Sequence, residues 1–298
     1  MDSAPLLDSL FREAVAAIDA GELVLLQRLL AMHPELVRAR LESPGGWLRD
    51  KVGGALDGFF RQPYLLWFVA EDPVRNGKLP ANIAAAACAI IQAAQREGVP
   101  TLQEQLNYAL RLVSWSWIAR QCNVQIELLD VLLDAGASPD GNPDNALVNG
   151  NFAAAEHLVA RGAALTLATA LCLGRWDDVA RLAPRESDRE KHFAFVLAAL
   201  NGKADALRWM IRSGIEVNRP SEDLYPHGNP LHHAVCSGSL DAVKVLVEAG
   251  ADLRAKDSAW NGTPLGWAEH YIGQANGDNA RRPYSEIAAY LREKEGHP

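Results

Sequence analysis

The feature that most constrains this chain is a helix–turn–helix unit in its C-terminal half that returns at a fixed interval. A short apolar helix follows Pro230 and stops at Gly238, and a second helix, Leu240–Glu248, ends at Gly250. Pro264 then restarts the same pattern 34 residues after Pro230. Two helices of this size cannot bury their apolar faces alone, so copies of the unit must stack on one another.

A glycine spacing shows that the unit recurs upstream. The interval from the mid-unit glycine to the closing glycine is twelve residues in three places, Gly150/Gly162, Gly202/Gly214 and Gly238/Gly250. Glycine commonly ends a helix in the left-handed conformation, because it has no Cβ to oppose it. The spacing therefore predicts a series of short helix pairs with a common turn geometry.

The best unit carries a recognisable motif. Pro230-Leu231-His232-x-Ala234, with Gly238 and the run Val-Leu-Val-Glu-Ala-Gly-Ala-Asp over 245–252, closely resembles the ankyrin repeat. The resemblance implies an all-α fold, an ankyrin-type α-solenoid, for which we expect seven to eight stacked helix pairs. It also implies that His232 is a framework residue whose ring hydrogen-bonds neighbouring turns.

We expect one solenoid over residues 1–298, with divergent repeats in 1–100 and more regular repeats and a C-terminal cap in 101–298. The first unit is Leu10–Arg40, and an insertion covers 41–80. Leu66–Ala70 is a candidate first helix of a degenerate repeat, with Ile83–Arg96 as its partner. The third unit is expected to begin with one helix, Leu106–Ile118, and a polar loop is expected over Gly273–Arg282.

Composition limits the partners and the compartment. The net charge of −8 argues against nucleic acid, since phosphate binding needs a basic face. Four widely spaced cysteines, none in a C-x-x-C pair, indicate free thiols in a reducing compartment. We find no signal-type N-terminus and no apolar run that could span a bilayer, so we expect a cytoplasmic, non-membrane protein, and we expect a monomer. Ala-, Arg- and Gly-rich usage hints at a bacterial source.

Two arrangements come near to a chemical site. His227, His232, His233 and Cys236 are close in sequence, and His232 and Cys236 share a helix face at i, i+4, a spacing that could hold one metal ion. The acidic loop Ser221-Glu222-Asp223 lies near Asp205 and Glu216, but exposed acids are usually only solvated. We expect no metal, no cofactor, no catalytic residue and no enzyme activity.

What remains is surface for binding. In the ankyrin fold the turn tips and first helices line one concave face, so the resemblance implies an unidentified protein or peptide partner there. The predicted contact residues are Trp260, Tyr225, His227, Ser258, Asn201, Cys236, Ser237, His270 and Tyr271. Trp260 is the leading candidate, because a tryptophan on a turn tip exposes apolar area. The alternative is that it folds back onto Trp267.

Two other interpretations stay open at the level of sequence. The aromatic insertion 47–68 could form a pocket for a small molecule or metal, perhaps with enzyme activity, if Arg49, Asp50, Asp57 or Arg61 converge on it. The chain could also be a structural protein that associates with itself.

Overall fold

The computed structural model describes residues 3–274 and 283–296, with side chains from Leu6 onwards. Most of the predicted polar loop Gly273–Arg282 lies outside the described residues. The described part of the chain contains α-helices, short 3₁₀ helices and turns, and no β-strand. Contacts divide the chain into two compact units, Met1–Ala164 and Leu165–Pro298. Each unit is described by itself.

The first unit contains ten of the described α-helices. They are α1 (Ser3–Ala20), α2 (Leu23–Met32), α3 (Glu35–Arg38), α4 (Gly46–Val52), α5 (Ile83–Arg96), α6 (Leu102–Trp115), α7 (Trp117–Gln121), α8 (Gln125–Asp134), α9 (Asn142–Val148) and α10 (Phe152–Ala160). Two 3₁₀ helices, Gly53–Asp57 and Leu65–Ala70, lie between α4 and α5.

These elements form two rows, as stacked repeats require. One row runs α1, the 3₁₀ helix Leu65–Ala70, α6 and α9, and each member packs on the next. The other row runs α2, α5, α8 and α10 in the same way. The 3₁₀ helix Leu65–Ala70 thus takes the first-helix position in the first of these rows, where the sequence offered Leu66–Ala70, and α5 packs against it. All six residues of Leu65–Ala70 are buried, which explains why so short an element holds its place in the row.

The prediction of one helix over Leu106–Ile118 was wrong, because the helix is interrupted at Ser116. Ser116 is extended (φ −63°, ψ 112°), and its hydroxyl accepts the N–H of Ala119 to begin α7. The carbonyl groups that the break releases are bonded elsewhere. The buried amide of Gln125 donates to the carbonyl of Val113 at 2.9 Å, and that of Asn151 donates to the carbonyl of Ser114 at 2.8 Å. Helical periodicity alone does not register such a break.

The second unit contains eight described α-helices in the same two-row plan. They are α11 (Leu167–Leu173), α12 (Trp176–Leu182), α13 (Asp188–Leu200), α14 (Ala204–Arg212), α15 (Pro230–Ser237), α16 (Leu240–Glu248), α17 (Pro264–Gly273) and α18 (Tyr284–Gly296). First helices pack in the order α11, α13, α15 and α17, and α14, α16 and α18 pack in a second row. These rows make the fold an ankyrin-type helical solenoid, as the sequence predicted.

The recurrent glycines hold the turns between paired helices. Gly238 ends α15 in the left-handed region, at φ +72°. Gly202, between α13 and α14, has φ +64°, and a Cβ there would lie 2.6 Å from the Cβ of Ser239 in the next repeat. Gly202 is therefore required both for its conformation and for the close approach of the neighbouring turn.

Candidate functional site

The turn between α16 and α17 is organised around one carboxylate, that of Asp257. Its Oδ1 accepts the backbone N–H of Ala259 at 2.9 Å and of Trp260 at 2.7 Å. Its Oδ2 accepts the N–H of Gly262 at 2.8 Å and the indole N–H of Trp267 at 3.0 Å. Asp257 is only 3% exposed. Burial opposes its ionisation, but these hydrogen bonds outweigh it and lower the pKa to about 2.

The preceding turn, between α14 and α15, is fixed by its own contacts and is joined to the first. The N–H of Ser221 donates to the carbonyl of Gly228 at 3.2 Å. The Ser221 hydroxyl accepts the N–H of Leu224 at 3.3 Å and donates to the carbonyl of the same residue. Between the two turns, the N–H of Ser258 donates to the carbonyl of His227 at 2.8 Å. A backbone hydrogen bond therefore joins the two tips.

The tips carry a cluster of rings, called here the tip cluster: Tyr225, His227, His233, Trp260 and Trp267. His227 lies at its centre, with ring centroids 5.1 Å from Trp260, 5.8 Å from Trp267 and 6.1 Å from Tyr225. Trp260 contacts Trp267 edge-on at 5.9 Å, so it does fold towards this residue. Nevertheless 71% of Trp260 and 37% of Tyr225 remain exposed.

The histidines of α15 belong to the framework. The Nε2–H of His232 donates to the carbonyl of Gly262 at 3.1 Å, and its Nδ1 accepts the N–H of Asn229 at 3.3 Å. His232 thus bonds the neighbouring turn, as the family resemblance implied. His233 is the buried member of the tip cluster, and its Nε2 has no hydrogen-bond partner among the described residues. Burial, then two neighbouring imidazoles, lower the pKa of His233 to about 3.

The structure brings four of the predicted contact residues together: Tyr225, His227, Ser258 and Trp260. The other five lie in or next to the first helices: Asn201, Cys236, Ser237, His270 and Tyr271. Cys236 accepts a hydrogen bond from the Tyr271 hydroxyl at 3.2 Å. Burial, with a smaller contribution from Cys236, raises the pKa of Tyr225.

Some of these five residues make contacts within their own elements. The Ser237 hydroxyl donates to the carbonyl of Ala234 at 2.6 Å, and the Asn201 amide donates to the carbonyl of Leu197 at 2.9 Å. His270 is exposed and packs edge-on against Tyr271, with ring centroids 5.9 Å apart.

Sequence reasoning did not identify Asp257, on which the geometry of the site depends. The available signal was an aspartate directly before Ser258, Ala259 and Trp260, since aspartate side chains hydrogen-bond backbone N–H groups two or three residues later. The additional hydrogen bond from Trp267 comes from the next repeat unit. Nothing local in the sequence indicates it.

The acidic loop has ordinary surface chemistry. Arg219 donates to Glu222 at 2.7 Å, and Arg189 holds both oxygens of Asp223, with its Nε 2.8 Å from Oδ2. The bond from Arg189 lowers the pKa of the Asp223 carboxyl. Glu222 and Asp223 are both exposed and paired with arginine, an arrangement that favours carboxylates over the protonated carboxyl of a general acid. Throughout the described residues, no group of three or more His, Cys, Asp or Glu side chains is arranged to hold a metal ion.

The aromatic insertion is packed as core. Phe60 and Phe68 are fully buried with ring centroids 5.2 Å apart, and Trp67 lies 4.3 Å from the ring of Tyr108. The indole of Trp67 donates to the carbonyl of Gln105 at 3.3 Å. The charged residues that a pocket there would use are all exposed: Arg49, Asp50, Asp57 and Arg61. This packing gives no support to a ligand site within 47–68.

Comparison with known proteins agrees with this geometry. The family model for ankyrin repeats (3 copies) matches residues 90–257, more than half of the chain. The chain belongs to the ankyrin-repeat family. Ankyrin repeats are typically scaffolds for interaction between proteins.

Individual relatives share only a short stretch with this ankyrin-repeat chain. The potassium channel GORK of Arabidopsis thaliana is 44% identical over 64 residues, which is 22% of this chain and 7% of the channel. Protein phosphatase 1 regulatory subunit 27 of Homo sapiens is 39% identical over 69 residues, 23% of this chain and 37% of the subunit. The chain thus matches well under two thirds of these relatives' length.

Among solved structures, the human ASB11 ankyrin repeat domain aligns with 72% of this chain and 96% of its own, at 16% identity and a TM-score of 0.35. None of the described helices combines the length and the apolar character needed to cross a membrane.

Proposed function

We propose that this ankyrin-repeat chain is a non-catalytic binding module for another protein or a peptide, and that it contacts its partner through the turn tips of the concave face. The observation that carries the proposal is Trp260. It is 71% exposed, yet the backbone beneath it is fixed by the Asp257 carboxylate and joined to the preceding tip. A rigid, exposed tryptophan loses little conformational freedom on binding, which is why tryptophan is frequent among residues that dominate interfaces.

The area at stake is large enough to matter. An aromatic side chain buries about 150–250 Å² when it is covered. At roughly 25 cal/mol per Å², covering the exposed part of Trp260 contributes about 3–4 kcal/mol before the costs of association are subtracted. Tyr225 adds a smaller exposed ring with a hydroxyl that can hydrogen-bond.

The chemical surroundings support a protein or peptide partner. The carboxylates of the first tip are paired with arginines, and the acidic net charge of −8 disfavours nucleic acid. The names of the short-matching relatives, a potassium channel and a phosphatase regulatory subunit, differ too much to indicate one partner. We extend the proposal to a monomer in the reducing cytoplasm, because none of the four cysteines forms a disulfide.

A peptide selection tests the proposal. Peptides enriched from a random display library on the immobilised wild-type protein are titrated against Trp260→Ala, Tyr225→Ala and the control Trp176→Ala, whose tryptophan is 43% exposed on α12. We expect Trp260→Ala to weaken binding by about tenfold or more, and the control to leave it unchanged. The melting temperature should stay near that of the wild type, since Trp260 buries little area. Equal affinity of Trp260→Ala and wild type, or no enriched peptide, would contradict the proposal.

A further inference from the structure

A second surface, remote in sequence from the tip cluster, lies in the first unit. It is a groove of about 580 Å³, called here the α1 groove. One wall is α1, which contributes Leu6, Leu7 and Leu10, and the other is the irregular segment 39–43. Leu6 is 63% exposed. The groove has the volume of a ligand site and is partly open to solvent.

The segment 39–43 presents an unpaired backbone edge. It begins in extended conformation, with Ala39 at φ −93° and ψ 154°. The N–H of Leu41 donates inward to the carbonyl of Pro63 at 2.9 Å. Within the described residues, the N–H groups of Arg40 and Glu42 have no such partner. Successive N–H groups of an extended chain point to opposite sides, and on this ground we assign these two N–H groups to the side away from Pro63. An edge of this kind is a template for an added strand.

The charged side chains that line the α1 groove leave it with a negative charge. The guanidinium of Arg40 is already engaged, because it is paired with Glu104 and lies 4.4 Å above the Tyr64 ring. Glu42 is exposed and forms no ion pair with any described residue. The second acid of the lining, Glu35, has the ring of His33, at 3.3 Å, as its one ion-pair partner among the described residues. The charge available to an incoming group is therefore negative.

We propose that the α1 groove binds an extended peptide segment with alternating apolar and basic side chains, which adds as a strand along 39–43. Its apolar side chains cover the leucines of α1, its backbone pairs with the N–H groups of Arg40 and Glu42, and its basic side chains lie near Glu42. At about 3.3 Å per residue, the five-residue edge matches a segment of about five residues. This site is independent of the turn tips.

The test uses the fluorescein-labelled peptide Lys-Val-Lys-Val-Lys-Val, titrated by fluorescence anisotropy. Two probes serve as controls, the matching glutamate–valine peptide and the lysine–valine peptide N-methylated on alternate amides. We expect the basic peptide to bind at least tenfold more tightly than either control. Leu6→Ser and Glu42→Lys should each weaken it about fivefold, whereas Val24→Ser, changed at a 72% exposed valine of α2, and Trp260→Ala should not.

The altered side chains in the groove are exposed, so the variants are expected to fold, and melting curves check this. Equal binding of the N-methylated peptide would show charge attraction without strand addition and would overturn the proposal. So would equal binding by Leu6→Ser and wild type. Sedimentation measures whether the wild-type protein associates with itself. Self-association of the wild type that Leu6→Ser abolishes would assign the groove to a second copy of the chain instead.

Discussion

Replacing Asp257 with asparagine tests whether one carboxylate sets the shape of the second turn tip. The amide oxygen can keep the two N–H groups of Ala259 and Trp260. The amide nitrogen, however, then faces the N–H of Gly262 and the indole N–H of Trp267, so two donors lose their acceptor. Hydrogen bonds to charged groups contribute about 1.5–3 kcal/mol each. With the lower figure, because this turn can open to water, we expect Asp257→Asn to lower the free energy of unfolding by about 3 kcal/mol.

The pH dependence of this loss has a definite direction. The folded-state pKa of Asp257 is lowered to about 2, below the value near 3.9 of an unfolded aspartate. The carboxylate therefore stabilises the fold fully above about pH 4, and this contribution is lost as the pH falls towards 2. The gap in stability between wild type and Asp257→Asn should narrow by about 2 kcal/mol over that window, at 1.36 kcal/mol per pKa unit.

Urea unfolding followed by tryptophan fluorescence at pH 7, 4 and 2.5 measures both effects. Asp252→Asn is the matched control on the same turn, since Asp252 is exposed and accepts a single backbone N–H, that of Arg254 at 2.9 Å. We expect the control to cost less than about 1 kcal/mol. The reasoning fails if Asp257→Asn lies within 0.5 kcal/mol of wild type, or if the gap between them is the same at every pH.

Two further perturbations follow from the second unit. Gly202→Ala is expected to lower the free energy of unfolding by about 2–3 kcal/mol and Gly174→Ala by about 1 kcal/mol. Both glycines have a left-handed φ, but only a Cβ at Gly202 would meet Ser239. Equal melting temperatures of the two variants would contradict this. Burial, and then two nearby imidazoles, lower the pKa of His233 to about 3. The fold holds this side chain neutral, so its free energy of unfolding is highest above about pH 6.5 and decreases as the pH falls towards 3. The free energy of unfolding of His233→Leu should therefore exceed that of wild type by about 3 kcal/mol at pH 4.5 and differ little from it at pH 7 in urea unfolding, and a constant difference would refute the titration.

Much of the fold could be predicted from the sequence, because its determinants are local. Helix pairs follow from apolar spacing, and their ends follow from glycines such as Gly238, which lies at φ +72° as expected of a left-handed cap. The apolar run at Leu66–Ala70 suggested a first helix, and the structure has the 3₁₀ helix Leu65–Ala70 there. The contact residues predicted on the turn tips stay a prediction. The structure adds that Trp260 is exposed and held on a fixed turn.

The features that the sequence did not predict have a common cause. Each depends on contacts with residues that are distant in the sequence. The break at Ser116 is tolerated because the side-chain amides of Gln125 and Asn151, which lie later in the chain, donate hydrogen bonds to the carbonyl groups of Val113 and Ser114. The insertion could be identified as aromatic, but whether its rings lined a pocket or filled a core depended on how Phe60 and Phe68 met. The spacing of apolar residues along the sequence carries no information on which side chains pack together.

The sequence by itself therefore determined the repeat, its helix pairs and its turn glycines, since each needs only neighbours along the chain. The tertiary structure decided the rest. Asp257 became the centre of a turn only when Trp267 was brought beside it, and the α1 groove exists only because residues 39–43 lie beside α1, a separate helix earlier in the chain. Both sites are made by side chains and backbone edges from separate elements, and folding alone places them together.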